Sequence, residues 1–515
     1  MTPDIVLLIL DTQRVDRLSC YGYPLETTPH LDELAADATL FRHAVSTAQW
    51  TIPSHTSMFT GLYPSAHTML HAFSVLPATL VPLAQRLRDG GYFTAAFCNN
   101  PLLGVVNNGL QRGFTSFLNY GGLMASRPNQ TGDHQRFFDR YRRHFKRVVA
   151  SALNGMQDAF ARSDHLLDFS FSPIMVPLWQ TVLRFKGNAA KSLNDAAHLL
   201  INRQGVGEDH PIFSFINLME THMPYHPPER YLSRFASHVQ HDKDARRFLN
   251  RFNGDVFGWL APLSANLAEK YKAALDGVYD AEVAYEDELV GAFLQKLRAS
   301  GRLDRTLLIV CADHGEHLGE KQMMGHSFSL YNELVHVPLL IRDPDGDLAR
   351  GKVRENVVST RRIFHTILTA AGLATGAERG LTLAQSADSD PDRNIVFAEG
   401  VTPQNALTLL EKHRPELVRA GNCDKVRRAI WQEHKKLIQV GEDYEDLLEL
   451  YDVVADPYEK ENLRDVLPEQ VRSMHASLRA FVRHVGVSTP EPEFTTDSED
   501  DEQVYRRLRD LGYLE

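Results

Sequence analysis

The hydrophobic pattern alternates between short unbroken apolar runs and longer helical periods. Ile5 to Leu10 is a continuous apolar run, as expected of a strand buried on both faces of a parallel sheet. Thr28 to Phe41 predicts a helix with Leu31, Leu34, Ala35 and Ala38 on one face and Pro29 in its first turn. Leu80 to Arg88 predicts another helix, closed by Gly90 and Gly91, and Tyr92 to Cys98 a second strand. Pro211 to Met219, Arg305 to Ala312 and Pro338 to Arg342 are further strands. Lys270 to Arg298 is a long amphipathic helix, and Arg361 to Ala371 is a helix stopped by Gly372. This alternation predicts an α/β fold with a central sheet flanked by helices.

Two stretches break the pattern. Residues from about 120 to 205 read as a helical insertion, with a basic and aromatic run at Arg136 to Arg147 and an apolar run at Leu166 to Phe185 broken by Pro173 and Pro177. From about residue 391 the elements shorten. Asn394 to Glu399 and Arg428 to Gln439 read as strands of a small sheet, so residues 1–390 are expected to form the main domain and 391–487 a smaller α+β one. Residues 488–502 are acidic and rich in Pro and Thr, a linker before a closing helix at Gln503 to Leu511.

Composition narrows the function. The chain has 515 residues, 43% hydrophobic and 23% charged, which excludes a wholly disordered or collagen-like protein. A net charge of −11 argues against a nucleic-acid partner. Four cysteines without a CxxC motif do not make a disulfide framework, and no secretory signal is visible, so a cytoplasmic location is expected. No apolar stretch reaches the roughly 18 residues of a membrane span.

The chemistry gathers at strand ends. Asp11 follows the first buried strand and Asp313 follows the run LLIVCA. Ligands in open α/β sheets sit beyond the carboxyl ends of strands. Two acids brought there repel each other, and burial worsens the repulsion; a bound cation relieves both, with His314 adding a nitrogen ligand. Each acid alone also reads as an ordinary turn or cap residue. Thr51 begins the segment TIPSHTSMFTG, placed as the N-cap of a helix with Pro53 in the first turn. A hydroxyl there faces free N–H groups and the positive end of the helix dipole, which favours an alkoxide and an anionic ester.

The segment Thr51 to Gly61 resembles the signature of the sulfatase family, in the alkaline phosphatase superfamily. The resemblance runs through LLILDTQR, CYGYP, LYPSAH, METHMPY, ADHGEHLGE, LYNELVHVPLLI, LYDVVADPYEKENL and RLRDLGYLE. It implies an alkaline phosphatase-like mixed sheet, a smaller C-terminal sheet domain and a divalent metal at the nucleophile. Asp11, Asp313, His314 and Thr51 then stand at metal-ligand positions. Thr51 stands at the nucleophile, His222 at the leaving-group donor, His326 where many relatives have Lys, and His55 where they have Arg. His71 and Asn99 are expected substrate contacts, Asn100 a further candidate, and Glu316 and Arg14 residues that orient the ligands.

Two departures from the family pattern shape the expected activity. Thr51 cannot yield the formylglycine of sulfatases proper, because its methyl would leave a ketone. Thr12 stands where many sulfatases have a second acidic ligand. The expectation is one divalent ion (Mn, Ca, Zn or Mg) and direct attack by Thr51 on a small anionic ester, phosphodiesters and phosphonate monoesters favoured. Sulfate-ester hydrolysis without formylglycine, phosphotransfer and a non-catalytic binding protein are the alternatives. A homo-oligomer is left open, with the closing tail available to dock on a second copy.

Overall fold

The computed structural model describes residues 2–72, 74–104, 106–121, 186–254, 261–344, 346–441 and 447–488. Its main sheet contains the strands β1 (Asp4–Leu10), β2 (Thr39–Val45), β3 (Phe93–Cys98), β4 (Ser116–Asn119), β5 (Ile212–Leu218) and β6 (Thr306–Cys311). After a two-stranded ribbon, β7 (His317–Leu318) with β8 (Met324–Gly325), come β9 (His336–Val337), β10 (Leu339–Arg342) and β11 (Lys352–Ser359). The order is β11-β2-β10-β6-β1-β5-β3-β4, with β9 on β2. β1 pairs in parallel with both β5 and β6, while β10 runs antiparallel to β6 and β2, so the sheet is mixed.

β1 shows why this sheet forms. All seven of its residues are buried. Ile5, Leu7 and Ile9 enter the core on one face; Val6, Leu8 and Leu10 enter the core on the other. This is the period-two alternation of a strand covered on both sides. Helices α1 (Pro29–Ala36), α2 (Thr51–Thr60), α3 (Ala189–Asn202), α4 (Glu269–Ala299), α5 (Asn332–Val335) and α6 (Arg362–Ala370) supply the cover and the connections. The long helix follows the sequence reading to within a residue at each end.

One element differs. The helix expected over Thr28 to Phe41 stops at Ala36, and Thr39 begins β2. The turn at Asp37-Ala38 hands the chain to TLFRHAV, whose β-branched and aromatic residues pack between β10 and β11. Of the expected insertion, residues 122–185 lie outside the described residues, the basic and apolar runs included; α3 packs on β3 and β5 as part of the main core. The linker and closing helix at 489–515 also lie outside them.

The C-terminal part forms a four-stranded antiparallel sheet, β12 (Ile395–Gly400), β13 (Arg427–Gln432), β14 (Lys435–Val440) and β15 (Leu448–Asp452), backed by α7 (Pro468–Ser488). The stretch expected as one strand over Arg428 to Gln439 is a hairpin turning at Glu433, which takes a positive φ of 54°. The buried residues of this sheet meet Val45 and Val357 of the main sheet, joining the two units through one apolar cluster.

Candidate active site and metal centre

Register places the two acids. Ile9 lies beside Cys311 in the parallel β1–β6 pair, so Asp11 and Asp313, each two residues further, leave the sheet side by side. Both are fully buried. Oδ2 of Asp11 accepts from Asn100 Nδ2 at 2.7 Å and Asn217 Nδ2 at 3.3 Å. Oδ1 of Asp313 accepts from the backbone N–H of His314 at 2.9 Å and of Thr12 at 3.3 Å. The remaining oxygens, Asp11 Oδ1 and Asp313 Oδ2, are buried without a hydrogen-bond partner.

His314 completes the set. Its Nδ1–H donates to Gly315 O at 2.9 Å, so Nε2 carries the lone pair and meets the Thr51 hydroxyl at 3.4 Å. Nε2 lies 3.3 Å from Asp313 Oδ2 and 3.9 Å from Asp11 Oδ1. The three ligand atoms fall within 4.8 Å of one another. Each residue thus has one atom tied down and one left for a cation, a donor set of two carboxylates and an imidazole that suits a divalent ion. Burial and the neighbouring Asp11 push the Asp313 carboxyl well above the usual range, a strain that a bound cation removes.

Thr51 sits beside this cluster, 3% exposed, with Oγ1 3.4 Å from His314 Nε2. It was expected as an N-cap. The structure gives that place to Trp50, whose extended backbone (φ −149°, ψ 170°) starts the helix one residue later. Further along α2, Thr56 and Thr60 bond the carbonyl four residues back; Thr51, as the first helical residue, has no such carbonyl in its helix. Its hydroxyl is spent neither on capping nor on the helix. Ser46 and Ser54 both donate to Asp313 O, tying α2 to the ligand loop.

Three histidines line up across the site. The ring of His326 lies 4.6 Å from that of His314 and 5.1 Å from that of His222. His326 Nδ1 meets the buried Glu316 carboxylate at 2.8 Å; burial opposes its charge, but Glu316 raises its pKa. His222 donates Nδ1–H to Met223 O at 2.5 Å, so Nε2 carries the ring's lone pair. Its pKa is lowered by burial and by His326.

The other expected residues fall differently. His55 is fully buried, edge-on to Phe59 and Phe215, with Nδ1 3.0 Å from Thr51 O and 3.4 Å from Asp313 Oδ2. Burial lowers its pKa to about 4, so the ring is neutral where it packs beneath Thr51 and Asp313. Asn99 bonds Ser192 Oγ and Asn217 O and accepts from Asn188 N–H, so its side chain is occupied inside the core. The next residue, Asn100, faces the site instead. His71 is exposed, and its backbone N–H donates to Ser74 Oγ; among the described residues no bond ties it to the cluster. Arg14 donates to Glu316 O and pairs with Asp16 and Glu320, as expected of a residue that orients the ligand loop.

The structure adds residues the sequence reading did not weigh. Asn217 is a polar residue inside the apolar strand FSFINL, the one sequence signal that could have exposed it. Tyr279, on α4, donates to Thr12 O at 2.7 Å and accepts from Arg14 N–H at 2.9 Å. It clamps Thr12, whose φ of 62° is strained for a β-branched residue, next to Asp11.

Comparisons with known proteins agree with this architecture. The family model for Sulfatase matches residues 3–373. An arylsulfatase of Clostridium perfringens (strain 13 / Type A) is 22% identical over 419 residues, covering 79% of this chain and 82% of the relative. The uncharacterized sulfatase YidJ of Escherichia coli (strain K12) is 22% identical over 493 residues, covering 93% of this chain and 87% of the relative. Among solved structures, a phosphonate monoester hydrolase of Agrobacterium radiobacter superposes with a TM-score of 0.63 at 22% identity, covering 94% of this chain and 96% of that one. The fold is therefore alkaline phosphatase-like, and the chain is an ester hydrolase that belongs to the sulfatase family.

Proposed function

We propose that this protein hydrolyses phosphodiesters or phosphonate monoesters with Thr51 as nucleophile and one divalent cation held by Asp11, Asp313, His314 and Thr51. The observation that carries the reading is the Thr51 hydroxyl, bonded to His314 Nε2 at 3.4 Å, at the N-terminus of a ten-residue helix, beside two buried carboxylate oxygens without partners. The cation, when bound, supplies Lewis-acid polarisation of the ester and of the Thr51 hydroxyl. Thr51 Oγ1 gives its proton to water and bonds to phosphorus as the bond to the leaving oxygen breaks. His222, anchored through Nδ1, takes up that proton from water at Nε2 and passes it to the leaving oxygen. Water then attacks the phosphorus of the Thr51 ester, and the hydroxyl leaves with a proton. The open N–H groups at the start of α2 stabilise the charge that develops on the equatorial oxygens. Threonine cannot supply the aldehyde hydrate of formylglycine, which supports direct attack.

The test is a nitrophenyl panel (phosphate monoester, phosphodiester, phosphonate and sulfate) with elemental analysis of the purified protein. Turnover is expected on the diester and phosphonate, and Thr51→Ala is expected to abolish it while retaining a weakened metal site. Full activity in Thr51→Ala ends the proposal. Turnover of sulfate alone favours a sulfuric ester hydrolase, the reading favoured by the arylsulfatase relative.

A further inference from the structure

The loop carrying Asp313 and His314 rests on α5. A Cβ at Gly315 would meet Glu333 O at 2.0 Å, so only glycine lets the loop lie flush against this helix. Gly315 N–H donates to Leu334 O at 2.7 Å, and Ser46 N–H to Val335 O at 2.8 Å. What fixes α5 comes from the C-terminal sheet. Glu459 Oε2 accepts from Asn332 N–H, the first of the helix, at 2.7 Å. Asn332 Oδ1 accepts from Lys436 Nζ at 3.2 Å, and its Nδ2 donates to Pro457 O at 3.0 Å. Lys436 Nζ and Glu459 Oε1 form an ion pair at 2.6 Å with both side chains wholly buried, and the ammonium lies over the Trp431 ring.

A buried ion pair is a poor way to gain stability, because desolvation offsets its attraction and an apolar pair of like size serves as well or better. Here the charges serve direction: they aim a charge-assisted acceptor at the N-terminus of a one-turn helix that backs two metal ligands. We propose that Lys436 and Glu459 are positioning residues for Asp313 and His314, acting through Asn332 and α5. The inference rests on the reading of Asp11, Asp313 and His314 as cation ligands. It gives the small C-terminal sheet a part in assembling the metal centre.

The test titrates Mn2+, and in parallel Ca2+, into the metal-stripped full chain, with thermal unfolding of each stripped variant measured separately. Lys436→Met strands the Glu459 charge and is expected to weaken ion binding about tenfold, in the range seen when groups behind metal ligands are removed. Lys436→Met with Glu459→Gln removes both charges and keeps an acceptor for Asn332 N–H, so binding should return to within about threefold of the wild type. Should Lys436→Met fail to fold, Asn332→Ala leaves the ion pair in place and carries the same expected loss. Earlier unfolding with unchanged ion affinity would show that the pair only stabilises the fold and would overturn the proposal. A wild-type chain that binds neither ion overturns the ligand assignment itself, a separate failure.

Discussion

Asn100 carries a role out of proportion to its visibility in the sequence. Its amide is the closer of two donors to Asp11 Oδ2, while Oδ1 is buried without a hydrogen-bond partner, the atom proposed to meet the cation. Asn100→Ala should therefore cost about 10- to 100-fold in metal affinity, read by titration of the stripped protein, with the fold intact by circular dichroism. Unchanged affinity would mean that Asn217 alone orients the acid. Asp11, Asp313 and His314 were legible because each ends a buried apolar run where a charge needs a reason. Whether Asn99 or Asn100 faces the site was not, since that depends on which residue turns outward after β3. The burial of His55 was equally hidden: it follows from Phe59 and Phe215, the latter 160 positions away in the chain.

At the scale of elements, the seam between the end of β5 and α4 sets a pH dependence. Glu220 lies there beside Glu282, with Lys186 donating to Glu220 O and to the Glu282 carboxylate. Burial pushes the Glu220 carboxyl up to about 7, against the pull of Lys186. A carboxyl raised in the folded state holds a proton that the unfolded chain releases near its ordinary pKa of 4.5. Its stabilising contribution is present below that value and is lost as pH rises through about 7. The difference is on the order of 3 kcal/mol. Glu220→Gln should flatten the fall in thermal stability between pH 5 and pH 8, measured on the metal-stripped protein; an unaltered slope would show that another group titrates. The element boundaries themselves were legible where periodicity was strong, as in β1 and α4. β2 was missed because Leu34, Ala35 and Ala38 continue a helical face up to the point where Thr39 starts a strand.

The whole molecule joins a mixed sheet, whose C-terminal edge gathers the acids, to a small sheet that braces the ligand loop from behind. The α/β class and the smaller C-terminal sheet could be read from the alternation of elements and from the family resemblance. The antiparallel course of β10 could not, because a short buried run such as LLIR looks the same in either direction. Nor could the brace, since Lys436 and Glu459 are ordinary surface-type residues in the sequence and meet only when the hairpin and the turn after β15 pack on α5. All of these layers converge on one claim, that Thr51 becomes covalently bonded to the group it transfers. The most direct measurement is mass spectrometry of protein quenched during turnover of a slow phosphodiester or phosphonate ester, followed by mapping of the modified peptide. The account predicts a transient adduct with the mass of the transferred group on the peptide containing Thr51, absent in Thr51→Ala. An adduct on another residue, or turnover that proceeds under burst conditions without any adduct, would contradict it.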